Sequence, residues 1–247
     1  MSVLFVNELG GSYRLDGDRC VGEFEVTAEM LGADASVRPS ILATEADMVA
    51  GALANRASKP RIPLTVDLTV HRMEAIGVGT VGMVGRLLKV GRRTTVAEVL
   101  FVPRGGERPL ALSHATFMPS PNPGDEQPFV GDRDAGRARL TRPFPEQLGI
   151  RVLAPGTTEI DRVPYTMQPT GTIQGGAIAA VAEVAAETAA GAAVTDIDVR
   201  YLAAVRVGPA RATADVLGAG RVRVEVRDRG NDDRLASLVL ARVAATR

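Results

Sequence analysis

Two stretches, DLTVHRMEAIGVG at 67–79 and DIDVRYLAAVRVG at 196–208, align without a gap at an offset of 129 residues, so that Asp67 meets Asp196 and Gly79 meets Gly208. Both alternate apolar and polar residues, the period of a strand with one buried face. Ahead of each lies an apolar stretch of helical length, SILATEADMVAGALAN at 40–55 and GAIAAVAEVAAETAAG at 176–191. Ahead of those lie acidic, extended segments, GEFEVTAEML at 22–31 and TEIDRVPYTM at 158–167. Behind each come three more strand-like runs. In the first half these are TVGMVGRLLKV, TTVAEVLFV and PLALSHATF, with Gly105-Gly106 as a hairpin turn. In the second they are ARATADVL, RVRVEVRD and RLASLVLARVA, with Gly230-Asn231-Asp232 in the turn position. The chain carries one unit twice.

One apolar helix followed by antiparallel strands makes each unit α+β. The helix at 176–191 is apolar on nearly every side, which places it inside a curved sheet rather than on a surface. The stretch PSPNPGDEQPFVGDRDAGRAR at 119–139 is rich in Pro, Gly and charge and reads as a linker, giving units at 1–118 and 140–247.

Composition removes several classes of function. Lys+Arg and Asp+Glu both number 29 in 247 residues, so no net field draws nucleic acid or a membrane surface. A single cysteine, Cys20, excludes an internal disulfide framework and a cysteine-based metal cluster. His71 and His114 are too few for a histidine metal site and read as packed or surface residues. No run approaches the roughly 18 apolar residues of a membrane span, and the N-terminus lacks a basic, then apolar, leader pattern. The expectation is a cytoplasmic protein with no metal, no organic cofactor and no membrane partner.

The chemistry-bearing segment is QPTGTIQGGAIAAVAE at 168–183. A loop with Gly171, Gly175 and Gly176 runs into the start of the apolar helix, whose free N–H groups and positive dipole end favour a negative oxygen. Glycine there lets a ligand carbonyl come close to the backbone. Glu183 follows among Ala and Val, where an ionised carboxylate is costly unless it is paired or functional.

This segment resembles the hotdog-fold acyl-CoA thioesterases, in the branches that include the phenylacetyl-CoA and 4-hydroxybenzoyl-CoA enzymes. In that family an Asn or Gln precedes by seven residues a glycine at the helix start, and an Asp or Glu follows eight residues later. Gln168, Gly175 and Glu183 match both spacings. VTDIDVRYLAAVRVGPARATADV also looks like the family's next strand, with its aromatic residue and Val-Gly-Pro turn. The resemblance implies two tandem hotdog units, each an antiparallel sheet wrapped around a central helix. It also implies hydrolysis of acyl-CoA to free acid and CoA, at sites shared between two units. The second half carries the stronger match; the first repeats the layout and part of the motif. Many relatives have His-Gly-Gly where this chain has Gln174-Gly175-Gly176.

Aligning the two helices at an offset of 136 sets Pro39 opposite Gly175, Gly32 opposite Gln168 and Asp47 opposite Glu183. Proline has no N–H, so the first half lacks that donor. Gly175 and Glu183 stand eight residues apart, about 12 Å along one helix, so the carboxylate that serves Gly175 must come from the other unit. Asp47 is thus expected to face Gln168 and Gly175 as nucleophile or general base, with Gly176 contacting substrate. Glu183, a member of the family motif, is expected to face Gly32 and Pro39 at a degenerate second site. Two alternatives remain at this level: a hotdog enoyl-CoA hydratase, which would need an Asp–His pair, and a non-catalytic acyl-CoA-binding protein. The fusion supplies the usual pairing of hotdog units within one chain, and further association into a homo-oligomer is expected. The acyl group stays open.

Overall fold

The repeat read in the sequence is a repeat of elements. The computed structural model describes residues 4–121 and 131–244. The first unit runs α1 (Phe5–Glu8), β1 (Ser12–Asp16), β2 (Arg19–Val26), a 3-10 turn at Ala28–Met30 and α2 (Pro39–Ser58), then β3 (Pro63–Arg72), β4 (Gly79–Val90), β5 (Thr95–Pro103) and β6 (Ala111–Pro119). The second repeats that order with α3 (Phe144–Gln147), β7 (Arg151–Ala154), β8 (Thr157–Ile160), α4 (Gly175–Ala190), β9 (Val194–Tyr201), β10 (Ala210–Gly218), β11 (Arg221–Asp228) and β12 (Arg234–Val243).

Among the described residues all strands join one antiparallel sheet of 12, in the order β1-β2-β4-β5-β6-β3-β9-β12-β11-β10-β8-β7. Its centre is the β3–β9 pair, the two stretches that repeat most closely. Thr69 lies opposite Asp198, its own counterpart at offset 129, so a pseudo-twofold axis passes between them. The side chains obey it: Arg200 Nη1 donates to Asp67 Oδ1 at 2.7 Å, and the related His71 Nδ1 lies 3.5 Å from Asp196 Oδ1. Alternation does what the pattern requires. Leu68, Val70, Ile197 and Val199 are buried against the helices, while Asp67, His71 and Arg200 lie on the outer face. His114 is on that face as well, 3.2 Å from Glu98 Oε2.

Both long helices lie against the concave side of the sheet and touch each other. Alanine and glycine set that distance: a Cβ on Gly176 would sit 2.0 Å from Thr44 Oγ1. α4 ends on Gly191 at φ 66°, a left-handed cap that glycine takes without strain. α2 begins with Pro39 at its first helical position, where a missing N–H costs nothing. The loops before the helices superpose bond for bond at offset 136. Gly32 N–H donates to Ser36 O at 2.8 Å, and Gln168 N–H to Thr172 O at 2.9 Å; Val37 N–H reaches Ile76 O, and Ile173 N–H reaches Val205 O.

Four short elements were not expected. α1 and α3 are single turns with too few residues to show a period; they meet through Phe5 and Phe144, whose ring centroids are 6.1 Å apart. β1 and β7 are the sheet edges. Of the stretch read as linker, residues 122–130 lie outside the described residues, and 131–139 pack on β1. Tyr13 and Arg133 exchange backbone hydrogen bonds of 2.8 Å, and Leu15 N–H donates to Asp132 Oδ1 at 2.9 Å.

Beneath that strap Glu45 is fully buried, its carboxyl packed against Gly11 with neither oxygen hydrogen-bonded. Burial pushes the Glu45 acid up to about 7, with the Arg133 guanidinium opposing. A folded value above the ordinary 4.5 means stability is lost as pH rises from about 4.5 to 7. Glu45→Met, of similar volume, is therefore expected to raise unfolding free energy at pH 8 by about 2 kcal/mol. Urea titrations at pH 8 and pH 5 check this, because the gain should shrink at the lower pH.

Candidate active site

The start of α4 is the donor end of a helix that cannot satisfy its first N–H groups internally. Gln174 caps it, its Oε1 accepting from Gly176 N at 2.5 Å and Ala177 N at 3.3 Å. The Tyr201 hydroxyl, from the end of β9, donates to the Gly175 carbonyl at 3.0 Å. Opposite stands α2 of the other unit. Thr44 fills the space beside Gly176, and one turn on, Asp47 accepts from Thr65 Oγ1 at 2.7 Å. Burial raises the Asp47 acid to about 6, with the Thr65 hydrogen bond pulling it down. Burial also raises the Tyr201 phenol, and the nearby Asp47 charge adds to that rise. Tyr201 thus stands at the α4 N-terminus of one unit within the field of Asp47 from the other.

Glu183 sits elsewhere, across the pseudo-twofold, 1% exposed. Its Oε2 accepts the Ser40 N–H at 2.8 Å and its Oε1 the Arg38 Nη1 at 3.0 Å; Arg38 Nη1 also reaches Glu187 Oε2 at 2.8 Å. Burial raises the Glu183 acid, and the Arg38 cation opposes. The α2 N-terminus therefore holds a carboxylate of the chain itself, closed by an ion-pair cluster.

Four of the five expected residues fall into two groups. Asp47, Gly175 and Gly176 come together around Tyr201 and Thr44, while Glu183 lies with Ser40 and Arg38. Gln168 is at the outer end of the loop, where its Nε2 donates to Thr172 Oγ1 at 2.7 Å. The glycine reading changes in detail: the space beside Gly176 is occupied by Thr44, and a Cβ on Gly175 would lie 3.1 Å from the Tyr201 hydroxyl. These glycines make room for neighbouring protein atoms, and the Gly176 amide is itself taken by Gln174 Oε1. Sequence reasoning did not single out Thr65, Arg38 or Gln174 as site residues; Tyr201 was visible only as the aromatic residue of the strand motif.

Two cavities, of about 390 and 570 Å³, open beside β1 and residues 132–137, and neither is lined by the Asp47 cluster. Among the described residues no group of His, Cys, Asp and Glu is arranged to hold a metal, and no helix is long and apolar enough to cross a membrane.

The sequence model of the thioesterase superfamily matches residues 40–109, from the start of α2 to the β5–β6 turn. Of the solved structures, the 12:0-ACP thioesterase of Umbellularia californica superposes with a TM-score of 0.64 at 11% identity, covering 94% of this chain and 99% of that one. An acyl-ACP thioesterase from Bacteroides thetaiotaomicron gives 0.59 at 12% identity, over 91% and 98% of the two chains. A protein of unknown function with a hot dog fold from Alicyclobacillus acidocaldarius gives 0.60 at 15%, over 100% of both. A search of curated proteins finds no match. At these identities the structural likeness is one of fold: the chain has the hotdog fold of the thioesterases. The superfamily match falls on the first unit and includes Asp47, whereas the sequence reading placed the stronger motif in the second.

Proposed function

We propose that this protein hydrolyses acyl thioesters, with acyl-CoA as substrate, at one site built from both units. The observation that carries this reading is the Asp47 carboxylate of the first unit, raised by burial, on the helix whose Thr44 packs against Gly176 at the α4 N-terminus of the second. The thioester oxygen accepts from the first-turn amides of α4, where the helix dipole opposes the charge that develops on it. Asp47 attacks the carbonyl carbon to give an anhydride that water then cleaves, or takes a proton from an attacking water. Either route releases the acid and the CoA thiol. Gln168 shapes the loop through Thr172 and orients the thioester. The Glu183 cluster takes no part, because its helix end is already filled.

Neither histidine approaches this cluster, since both lie on the outer face of the sheet, which leaves a hydratase without its Asp–His pair. The same face carries a row of paired apolar residues, Val84, Leu100 and Leu112, which suits a further homo-oligomer. Incubation with acetyl-, octanoyl-, palmitoyl- and phenylacetyl-CoA and a thiol dye tests the reading. Thiol release is expected, with kcat/KM falling on the acid side of about pH 6 as Asp47 takes up its proton. Binding without release would make the protein a carrier, and a new enoyl absorbance would make it a hydratase.

A further inference from the structure

The amide at the second helical position is engaged at both helix starts, in two different ways. At α2 it is the Ser40 N–H, and its acceptor is the Glu183 carboxylate from the other unit, at 2.8 Å. At α4 it is the Gly176 N–H, and its acceptor is the side-chain oxygen of the neighbouring Gln174. The residue related to Gln174 is Arg38, whose side chain turns away from its own helix to reach Glu183 and Glu187. One end of the molecule thus displays an anionic oxygen seated on this amide. The other end shows the same seat held by a neutral oxygen of the chain.

Two further features single out the Gly176 amide. Glutamine is not among the residues favoured at a helix start, where Ser, Thr, Asp and Asn lead; here Gln174 is only 7% exposed and curls back over its own helix. The Tyr201 hydroxyl donates to the Gly175 carbonyl, the opposite end of the peptide unit that bears the Gly176 N–H. A hydrogen bond at one end of a peptide strengthens the donor at the other.

We infer that the Gly176 amide is the principal donor to the thioester oxygen, and that Gln174 Oε1 is its placeholder, displaced when substrate binds. This rests on the thioester reading of the site. Gln174 then acts as a positioning residue that opposes binding: the substrate must replace two hydrogen bonds before it gains its own. A residue that only capped the helix would change stability and leave substrate affinity alone.

The test uses Gln174→Ala and Gln174→Glu in the full chain. The readouts are KM for the best acyl-CoA of the panel, the Kd of its S-(2-oxoalkyl)-CoA ketone analogue by calorimetry, and Tm. Removing the competitor in Gln174→Ala is expected to lower KM and the ketone Kd roughly five-fold, about the worth of one neutral hydrogen bond, even as Tm falls. The Gln174→Glu carboxylate holds the same amides by charge-assisted bonds; it is expected to raise both constants about ten-fold or more at pH 8 and to raise Tm. Affinities that do not change, or that move in the same direction as Tm, overturn the placeholder. A wild-type protein that binds the ketone but releases no thiol removes the hydrolytic reading, and the two Kd shifts still decide the placeholder. A wild-type protein that neither binds nor hydrolyses overturns both.

Discussion

Asp47→Asn is expected to lower kcat/KM for thioester hydrolysis by about a hundredfold or more while leaving the protein folded. Asparagine keeps the shape and can still accept from Thr65 Oγ1, whose hydrogen bond of 2.7 Å positions the group. What it removes is the anion that attacks or takes a proton. The same change has a signature in stability. The Asp47 acid is raised from the ordinary 3.8 to about 6, so the folded state binds a proton that the unfolded state has released over that range. Stability is therefore lost as pH rises from about 3.8 to 6, and at pH 8 the charged side chain remains a burden. Because Asp47 is only half-buried, the expected gain for Asp47→Asn at pH 8 is modest, about 1–2 kcal/mol. Assay and urea denaturation of one preparation check both halves. A variant that is inactive and less stable would mark Asp47 as a structural residue.

Arg38→Ala is expected to cost about 3 kcal/mol of stability, more than either carboxylate substitution would shift it. Arg38 Nη1 serves two carboxylates at 3.0 and 2.8 Å, and one of them, Glu183, is 1% exposed. Truncating the arginine leaves Glu183 with the Ser40 N–H alone beside the like charge of Glu187. The Arg38 Nε is buried without a partner, which holds the figure to the lower end of the range for buried pairs. The acid already stands above its ordinary 4.5, so the loss in this variant should be small near pH 4 and grow as pH rises. Thermal unfolding of both proteins across that range checks it. A loss independent of pH would mean that Arg38 contributes by packing rather than by charge. Glu183→Gln, in contrast, keeps an acceptor for Ser40 and leaves no buried unpaired anion, so hydrolysis should stay within a few-fold of wild type.

Much of the architecture was legible because burial writes itself as period. The alternation in 67–79 and 196–208 announced β3 and β9, and their gapless offset announced a repeated unit; that these two strands pair across the pseudo-twofold is seen only in the fold. The apolar run at 176–191 announced a helix enclosed by sheet. α1, α3 and β7 escaped, since four residues show no period, and the two helical turns are held by contacts distant in sequence, such as Phe5 with Phe144. The strap at 131–139 was read as linker because its polar composition suits a loop; its hydrogen bonds to β1 are made largely by backbone and by Asp132, which composition does not reveal.

At the site, the rise per residue of a helix was enough to separate Gly175 from Glu183 and to look for a carboxylate in the other unit. The closure of the Glu183 side was not legible. It depends on Arg38 and Ser40 meeting residues more than 140 positions away. The two adjacent glycines also misled in part. A glycine before a helix reads as room for a ligand, yet here Thr44 and Tyr201 claim part of that room, an arrangement visible only once the two helices are packed.

The central claim is a single functional site per chain, joining the first unit's carboxylate to the second unit's helix start. The most direct measurement is the stoichiometry with which the S-(2-oxoalkyl)-CoA analogue of the best substrate titrates the wild-type chain by calorimetry. One molecule per chain is the expected result, because Glu183 already occupies the amide at the α2 end. Two molecules per chain would show that both helix starts are open to ligand and would contradict the account.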